Sequence, residues 1–369
     1  MHNSKLLVLL KTFSDKDLKL FHKFVQSPLH NTNKAALTLF EYIYKYLPNF
    51  EAVELEKEKA FFKVVGKSKY NDGNMRRILS DLLNVCEDFI AWQRFRANEA
   101  MVQLELLTFY REKKMDKHFN TVLRKLQKRE AENTALDEHH FYNCFRVEQE
   151  ISEQIAQQQD RSAEPNLQVI SDNLDAFYLI HKLKVCCSII SYQVLTKVDY
   201  QFPLLEEVLV HLSKTDYSHL PLVCFYHYAL LALLEGTEEE HFQNLRRVLF
   251  EYLEQIHRKE HKYMFLLARN YCIKRINKGD QEYLNELLEL YKIEMEKGIG
   301  LENGFLSAFT YKNIVTLGIK IGDFAWTEDF IEQYTEKLRE EVKEAAYSFN
   351  MARLYFSQRE FEKVIPLLH

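Results

Sequence analysis

The fold of this 369-residue chain follows from two stretches of sequence: NYCIKRINKGDQEYLNELLELY at residues 270–291 and NIVTLGIKIGDFAWTEDFIEQY at residues 313–334. An initial Asn, a central Gly-Asp and a final Tyr recur at the same places in both, 43 residues apart. Gly suits a turn between helices because it adopts the positive φ that ends a helix. Each stretch therefore predicts a helix, a turn at Gly-Asp and a second helix.

The same pattern extends in both directions along the chain. Gly236-Thr237 lies one further 43-residue step upstream. A third copy follows 37 residues downstream, where Asn350, Arg359-Glu360 and Phe361 match Asn313, Gly322-Asp323 and Phe324. Repeats of 37 to 43 residues are typical of proteins built from stacked helical hairpins.

The composition agrees with an all-α fold. The chain has only 9 Gly and 6 Pro, whereas average usage would give about 25 and about 18. Strand-rich folds need these residues for tight turns. A chain with so few of them is predicted to consist of helices joined by short polar turns.

The last copy, NMARLYFSQREFEKVIPLL at residues 350–368, resembles a tetratricopeptide (TPR) unit. Ala352, Tyr355, Phe361 and Val364 stand where that family places its packing residues. The resemblance implies a right-handed, TPR-like α-solenoid with a concave groove. It also implies a chain cut off at its C-terminus, because the sequence stops within the second helix of a repeat, without a polar cap.

The N-terminal part is predicted to be a compact helical module over residues 1–97. Leu18, Phe21, Phe24 and Val25 form one buried helix face, which ends at Ser27-Pro28. With Phe21-x-x-Phe24-x-x-Ser27-Pro28-x-x-Asn31, the layout also resembles uncharacterised bacterial helical-repeat proteins, a resemblance that implies no activity. Bridging helices are predicted over 98–161, and TPR-like hairpins over 166–369, with the boundary in the polar stretch 157–165.

Several features predict a cytoplasmic protein. Six scattered cysteines form no C-x-x-C pair, and they are interpreted as small buried hydrophobic residues. No apolar stretch approaches the roughly 20 residues that a membrane-spanning helix needs. The short apolar run at residues 6–10 lacks the cleavage site of a signal peptide.

One string suggests catalysis. His257, Glu260 and His261 fit the H-x-x-E-H pattern of inverzincin metalloproteases, in which two His bind zinc and the Glu activates water. A zinc-dependent hydrolase is a minor alternative, because no strands are predicted that could support an enclosed cleft. His139, His140 and Cys144 form a second possible ligand group, interpreted as a polar helix face. Neither nucleotide-binding loops nor a nucleophile motif occurs, so no cofactor and no catalytic residues are predicted.

A nucleic-acid binder is the stronger alternative. Residues 1–129 carry 24 Lys and Arg against 15 Asp and Glu, whereas the rest carries 25 against 39. Eight basic residues cluster within segment 111–129, where they could neutralise backbone phosphates: Arg111, Lys113, Lys114, Lys117, Arg124, Lys125, Lys128 and Arg129. A contact with acidic residues of this chain or of a partner is the other interpretation of this segment.

The favoured function is a non-enzymatic scaffold that binds a protein or peptide. Asn270, Asn313 and Asn350 recur on the first helix of each repeat, which lines the concave face in the TPR family. The resemblance implies that such Asn side chains hold an extended peptide by its backbone. Capping or bridging of neighbouring repeats is the alternative role for these three residues.

Overall fold

A computed structural model describes residues 1–66, 69–132, 138–158, 165–196, 198–235 and 239–367. These residues are almost wholly helical and contain 18 α-helices, two 3-10 turns and one two-stranded hairpin. The chain falls into two compact units, Met1–Phe109 and Tyr110–His369. The prediction of an all-α protein is confirmed. The subdivision into 1–97, 98–161 and 166–369 stays a prediction.

The N-terminal unit is built from short helices followed by a long one. In chain order these are α1 (Lys5–Leu10), α2 (Asp15–Gln26), α3 (Lys34–Tyr44), α4 (Lys57–Val65) and α5 (Asp72–Ala97). The next helix, α6 (Glu99–Glu112), contains the division between the units.

Helix α2 shows how local sequence sets the helix ends. The Ser14 side chain accepts a hydrogen bond from the Asp17 amide, and the Asp17 carboxylate accepts one from the Ser14 amide, which completes a capping box. The helix ends at Gln26, one residue before the Ser27-Pro28 pair that was predicted to stop it. Leu18, Phe21, Phe24 and Val25 are all buried, as the periodicity predicted.

An aromatic cluster forms the core of the N-terminal unit. The ring of Phe21 is fully buried and lies 4.7 Å from that of Phe40 on α3 and 5.3 Å from that of Phe89 on α5. Phe24 lies 5.3 Å from Phe89 on the same side. These edge-on and tilted contacts join three helices around one set of rings.

The second unit continues with twelve helices of the described chain. They are α7 (Asp116–Glu132), α8 (Glu138–Gln158), α9 (Leu167–Thr196), α10 (Leu205–Lys214), α11 (Pro221–Glu235), α12 (Glu239–Tyr252), α13 (Arg258–Asn277), α14 (Tyr283–Glu296), α15 (Ala308–Ile321), α16 (Phe324–Thr335), α17 (Glu340–Gln358) and α18 (Phe361–Val364). Consecutive helices pack as pairs, for example α11 with α12, α13 with α14 and α15 with α16. Alternate helices also pack, since α11 contacts α9 and α13, and α17 contacts α15.

The turns at the aligned positions share one backbone conformation. Gly279 between α13 and α14, Gly322 between α15 and α16, and Arg359 between α17 and α18 all have positive φ, at 109°, 85° and 66°. At Gly322 the backbone amide bonds the Gly318 carbonyl and closes the end of α15. The predicted helix–turn–helix is therefore observed at each of these three places.

Helix α6 ends at Glu112 and α7 begins at Asp116, so a short turn separates them. Residues 159–164, within the predicted boundary, and Gly236-Thr237, at the upstream repeat step, lie outside the described part of the chain. No described helix is both long enough and apolar enough to cross a membrane.

Replacing Phe21 with Ala tests the aromatic core. We expect Phe21→Ala to lower the free energy of unfolding by about 3–5 kcal/mol, because a fully buried ring leaves a cavity. Urea unfolding followed by circular dichroism measures this loss. Phe62→Ala is the matched control, since that side chain is 46% exposed. Equal midpoints for the two variants would contradict the assigned core.

Candidate functional site

A groove with a volume of about 580 Å³ lies among the C-terminal helix pairs. We call it the hairpin groove, because its lining includes the two-stranded hairpin between α14 and α15. The lining residues come from α13, α14, the hairpin, the start of α15 and the start of α17: Lys262, Arg269, Glu294, Gly300, Glu302, Phe305, Leu306, Ser307, Ala308, Thr310, Arg339, Glu341 and Val342.

The hairpin pairs strand β1 (Leu301–Glu302) with strand β2 (Phe305–Leu306). Its two-residue turn, Asn303-Gly304, has positive φ at both positions, 52° and 85°, the conformation for which Asn-Gly is the preferred sequence. The Leu306 amide donates a 2.7 Å hydrogen bond to the Lys337 carbonyl, which ties the hairpin to the segment before α17. Lys262 on α13 pairs with Glu302 and ties the other strand. The hairpin is thus fixed at both edges.

A buried ion pair lies at the inner end of the groove. Arg269 on α13 approaches Glu294 on α14 to 3.4 Å, with side chains only 12% and 3% exposed. The guanidinium also lies 4.8 Å from the centre of the Tyr291 ring, a cation–π contact. Glu294 Oε2 and Arg269 Nε are buried without a hydrogen-bond partner in the described residues. Burial raises the pKa of Glu294, and Arg269 and Lys262 offset only part of that shift.

These charges define what the groove can recognise. Three cationic side chains, Lys262, Arg269 and Arg339, share the lining with three acidic ones, Glu294, Glu302 and Glu341. A lining balanced in this way does not favour a polyanion. It offers a buried carboxylate acceptor with unused hydrogen-bonding capacity, together with an aromatic side chain, Phe305, which is 47% exposed. A ligand with its own N–H donors and an apolar part would satisfy both.

The three predicted Asn residues lie on α13, α15 and α17, but none of them lines the hairpin groove. Asn270 and Asn313 are half-buried. Asn350 is 3% exposed, and its side-chain amide donates a 2.8 Å hydrogen bond to the Ala346 carbonyl on its own helix. The groove residues Arg269 and Glu294 were not found from the sequence, because neither belongs to a motif. Asn303-Gly304 was the available signal for the hairpin.

The H-x-x-E-H residues have other neighbours. His257 caps α13 by accepting a hydrogen bond from the Lys259 amide, and His261 Nε2 lies 2.8 Å from the Ile256 carbonyl. Glu260 is 4% exposed, and both of its oxygens lie 3.0 Å from Lys184 Nζ. It also accepts a 2.5 Å hydrogen bond from the Tyr226 hydroxyl. Among the described residues, the two imidazoles and this carboxylate do not converge as metal ligands.

The predicted basic segment separates into two parts. Arg111 on α6 is 11% exposed and pairs with Glu150 at 2.6 Å and with Glu153 at 2.8 Å, both on α8. Arg111 therefore contacts acidic residues of its own chain, as one interpretation of this segment predicted. Lys113 and Lys114 lie at the turn before α7. The remaining five, Lys117, Arg124, Lys125, Lys128 and Arg129, are exposed on α7, whose buried residues are Phe119, Val122 and Leu126.

The buried pair Lys184–Glu260 yields a stability prediction. We expect Lys184→Met to lower the free energy of unfolding by about 3 kcal/mol, because Glu260 keeps a buried charge without its cation. The double variant Lys184→Met with Glu260→Gln should recover most of the loss, since the amide still accepts from Tyr226. Urea unfolding of both variants measures the difference. A Lys184→Met protein as stable as the original would contradict a structural role for this pair.

Comparison with known proteins gives no direct guide to the function of this chain. No family model, no curated protein and no solved structure matches it. The resemblance to TPR units over roughly residues 170–369 therefore stays a prediction from the sequence.

Proposed function

We propose that this chain is a protein- or peptide-binding scaffold and not an enzyme, and that the hairpin groove is its binding site. In this proposal the helices of residues 166–369, α9 to α18, are TPR-like hairpins of a right-handed solenoid in a cytoplasmic protein. The observation that carries the proposal is a groove of about 580 Å³ lined by the buried carboxylate of Glu294, whose Oε2 pairs with Arg269 at 3.4 Å but makes no hydrogen bond among the described residues.

A peptide suits this groove better than a small, uniformly charged ligand. A peptide brings backbone N–H groups, which can donate hydrogen bonds to Glu294. It also brings backbone carbonyls, which can accept hydrogen bonds from Lys262 and Arg339. The volume lies within the range of about 300–1,000 Å³ that is usual for ligand sites. Phe305 and Val342, 47% and 40% exposed, offer apolar contact area at the same groove.

The ionised side chain of Glu294 lowers the stability of the folded state, which is typical of a residue that serves binding. Its raised pKa means that burial disfavours the ionised form. The folded state is therefore penalised at neutral pH, and the penalty disappears as the pH falls towards the ordinary value of 4.5. A ligand N–H group that donates to Glu294 would offset that penalty. Ligand binding would therefore stabilise the ionised form of this buried carboxylate.

Glu294→Gln tests the groove. Peptides are first selected from a displayed random library on the full chain, and their Kd values are then measured by fluorescence anisotropy. We expect Glu294→Gln to weaken binding about 10-fold or more, because a charge-assisted hydrogen bond is lost. The same variant should have a higher unfolding midpoint at pH 7, and this gain should shrink as the pH approaches 4.5.

Two further variants serve as controls for this test. Glu289→Gln makes the same chemical change at an exposed side chain of the same helix that does not line the groove, and we expect no change in affinity. Asn270→Ala with Asn313→Ala tests the residues implied by the TPR resemblance. Peptides that bind Glu294→Gln and the unchanged chain equally well would remove the groove from the mechanism. A loss confined to the Asn variant would place the peptide elsewhere on α13 and α15.

The basic face of α7 favours nucleic-acid binding as a second candidate function. Lys117, Arg124 and Lys128 are spaced by seven and four residues, which puts them on one exposed stripe, opposite the buried Phe119, Val122 and Leu126. Such a stripe can follow a phosphate backbone. Arg111 takes no part in this proposal, because it is buried against Glu150 and Glu153.

Charge reversal on α7 tests this second function. The full chain should be retained on heparin at about 50 mM salt, with retention falling steeply as salt rises. Lys117→Glu, Arg124→Glu and Lys128→Glu together should abolish it. The matched control reverses three exposed lysines on α2, Lys16, Lys19 and Lys23. Absence of retention for the unchanged chain, or equal loss in both triple variants, would rule out a specific role for α7.

A further inference from the structure

A second cluster of chemically active side chains lies away from the groove, between α7 and α8. These helices run antiparallel, because Asp116 at the start of α7 accepts a 2.6 Å hydrogen bond from Gln154 near the end of α8. Glu130, near the end of α7, meets His140, near the start of α8. The pairing therefore brings a carboxylate of one helix to an imidazole of the other.

Cys144 completes this cluster. It lies one helical turn beyond His140 on the same face of α8, and its Sγ is 3.7 Å from His140 Nε2. On the other side of the ring, His140 Nδ1 is 2.8 Å from Glu130 Oε2. His140 therefore lies between the thiol of Cys144 and the carboxylate of Glu130.

One ligand atom from each of the three residues lies within 4.8 Å of the other two, and no other set of three in the described chain does so. Bond lengths of about 2.0–2.3 Å in a tetrahedral zinc site separate neighbouring ligand atoms by roughly 3.3–3.8 Å. The 3.7 Å between sulfur and nitrogen already has this spacing. Glu130 Oε2 lies on the Nδ1 side of the ring, so it joins the same ion after a rotation of the imidazole or of the carboxylate.

The donor set selects the kind of metal. Thiolate and imidazole are ligands of Zn²⁺ and related borderline ions, whereas Ca²⁺ and Mg²⁺ require oxygen ligands. The side chains of Glu130 and His140 are 25% and 16% exposed, so an ion can enter from solvent while the site remains partly desolvated. Neither residue lines the hairpin groove. The cluster is therefore independent of the proposed binding function.

We propose that Glu130, His140 and Cys144 bind one Zn²⁺ ion and that this site fastens α7 to α8. Binding releases the Cys144 thiol proton to solvent, because the thiolate is the metal ligand, and the neutral imidazole and the carboxylate complete three metal–ligand bonds. Three protein ligands leave a fourth coordination position open for water.

Cobalt substitution tests the site directly. The full chain, reduced and freed of metal, is titrated with Co²⁺ alone, and we expect a sulfur-to-cobalt charge-transfer band together with the visible bands of a tetrahedral ion. One equivalent of Zn²⁺ should abolish both. Cys144→Ser should remove the charge-transfer band, and His140→Gln or Glu130→Gln should weaken binding, by about 100-fold for the His. Cys224→Ser is the matched control, since Cys224 is a half-buried cysteine whose Sγ faces the Tyr217 carbonyl at 3.1 Å.

A second measurement uses the unchanged chain, so it does not depend on whether a variant folds. In the unchanged chain, Zn²⁺ should slow alkylation of Cys144 by iodoacetamide at least 10-fold, as followed by peptide mass spectrometry. Absence of a charge-transfer band, or alkylation of Cys144 that ignores zinc, would overturn the proposal. So would metal binding that survives Cys144→Ser and is lost in His257→Ala with His261→Ala, because that result would place the ion at the H-x-x-E-H string.

Discussion

The second unit depends on one constraint: the apolar side of each helix must be covered by its neighbours in sequence. Tyr271 on α13 illustrates this, because its ring stacks on Phe242 of α12 at 4.6 Å and meets Tyr283 of α14 edge-on at 5.6 Å. All three rings are buried. No helix of this set can hide its apolar surface alone, so the packing of each helix fixes the position of the next. This apolar packing sets the positions of the polar residues, and contacts between polar residues do not set the packing.

Two of the buried ion pairs in this unit differ in how completely their carboxylates are hydrogen-bonded. Glu260 meets Lys184 with both oxygens and accepts from Tyr226, so its hydrogen-bonding capacity is used within the protein. Glu294 Oε2 has Arg269 at 3.4 Å but makes no hydrogen bond in the described chain. A satisfied buried charge is typical of structure, whereas an unsatisfied one that faces a groove is typical of a site that receives a ligand.

Much of the fold could be predicted because it depends on local sequence patterns. The capping box at Ser14, the stop at Pro28 and the positive φ at Gly279 and Gly322 each follow from the residue type and its neighbours. The site could not be predicted in the same way. Arg269 and Glu294 are 25 residues apart and form a pair only because α13 packs on α14. A single Arg and a single Glu have no spacing that would distinguish them from solvated charges. The sequence allowed an acidic contact for Arg111 but could not name its partners for the same reason, since they lie 39 and 42 residues away.

The difference between the two repeat lengths has a structural origin in the hairpin. Between α14 and α15 the chain uses residues 297–307, whereas between α16 and α17 it uses only 336–339. The longer connection accounts for the step of 43 residues where the next step is 37. Because the hairpin is attached at its edges by Leu306 and Glu302, its tip can change in sequence or length without repacking a helix. The sequence of the hairpin tip and the packing of the helices can therefore vary separately in this protein.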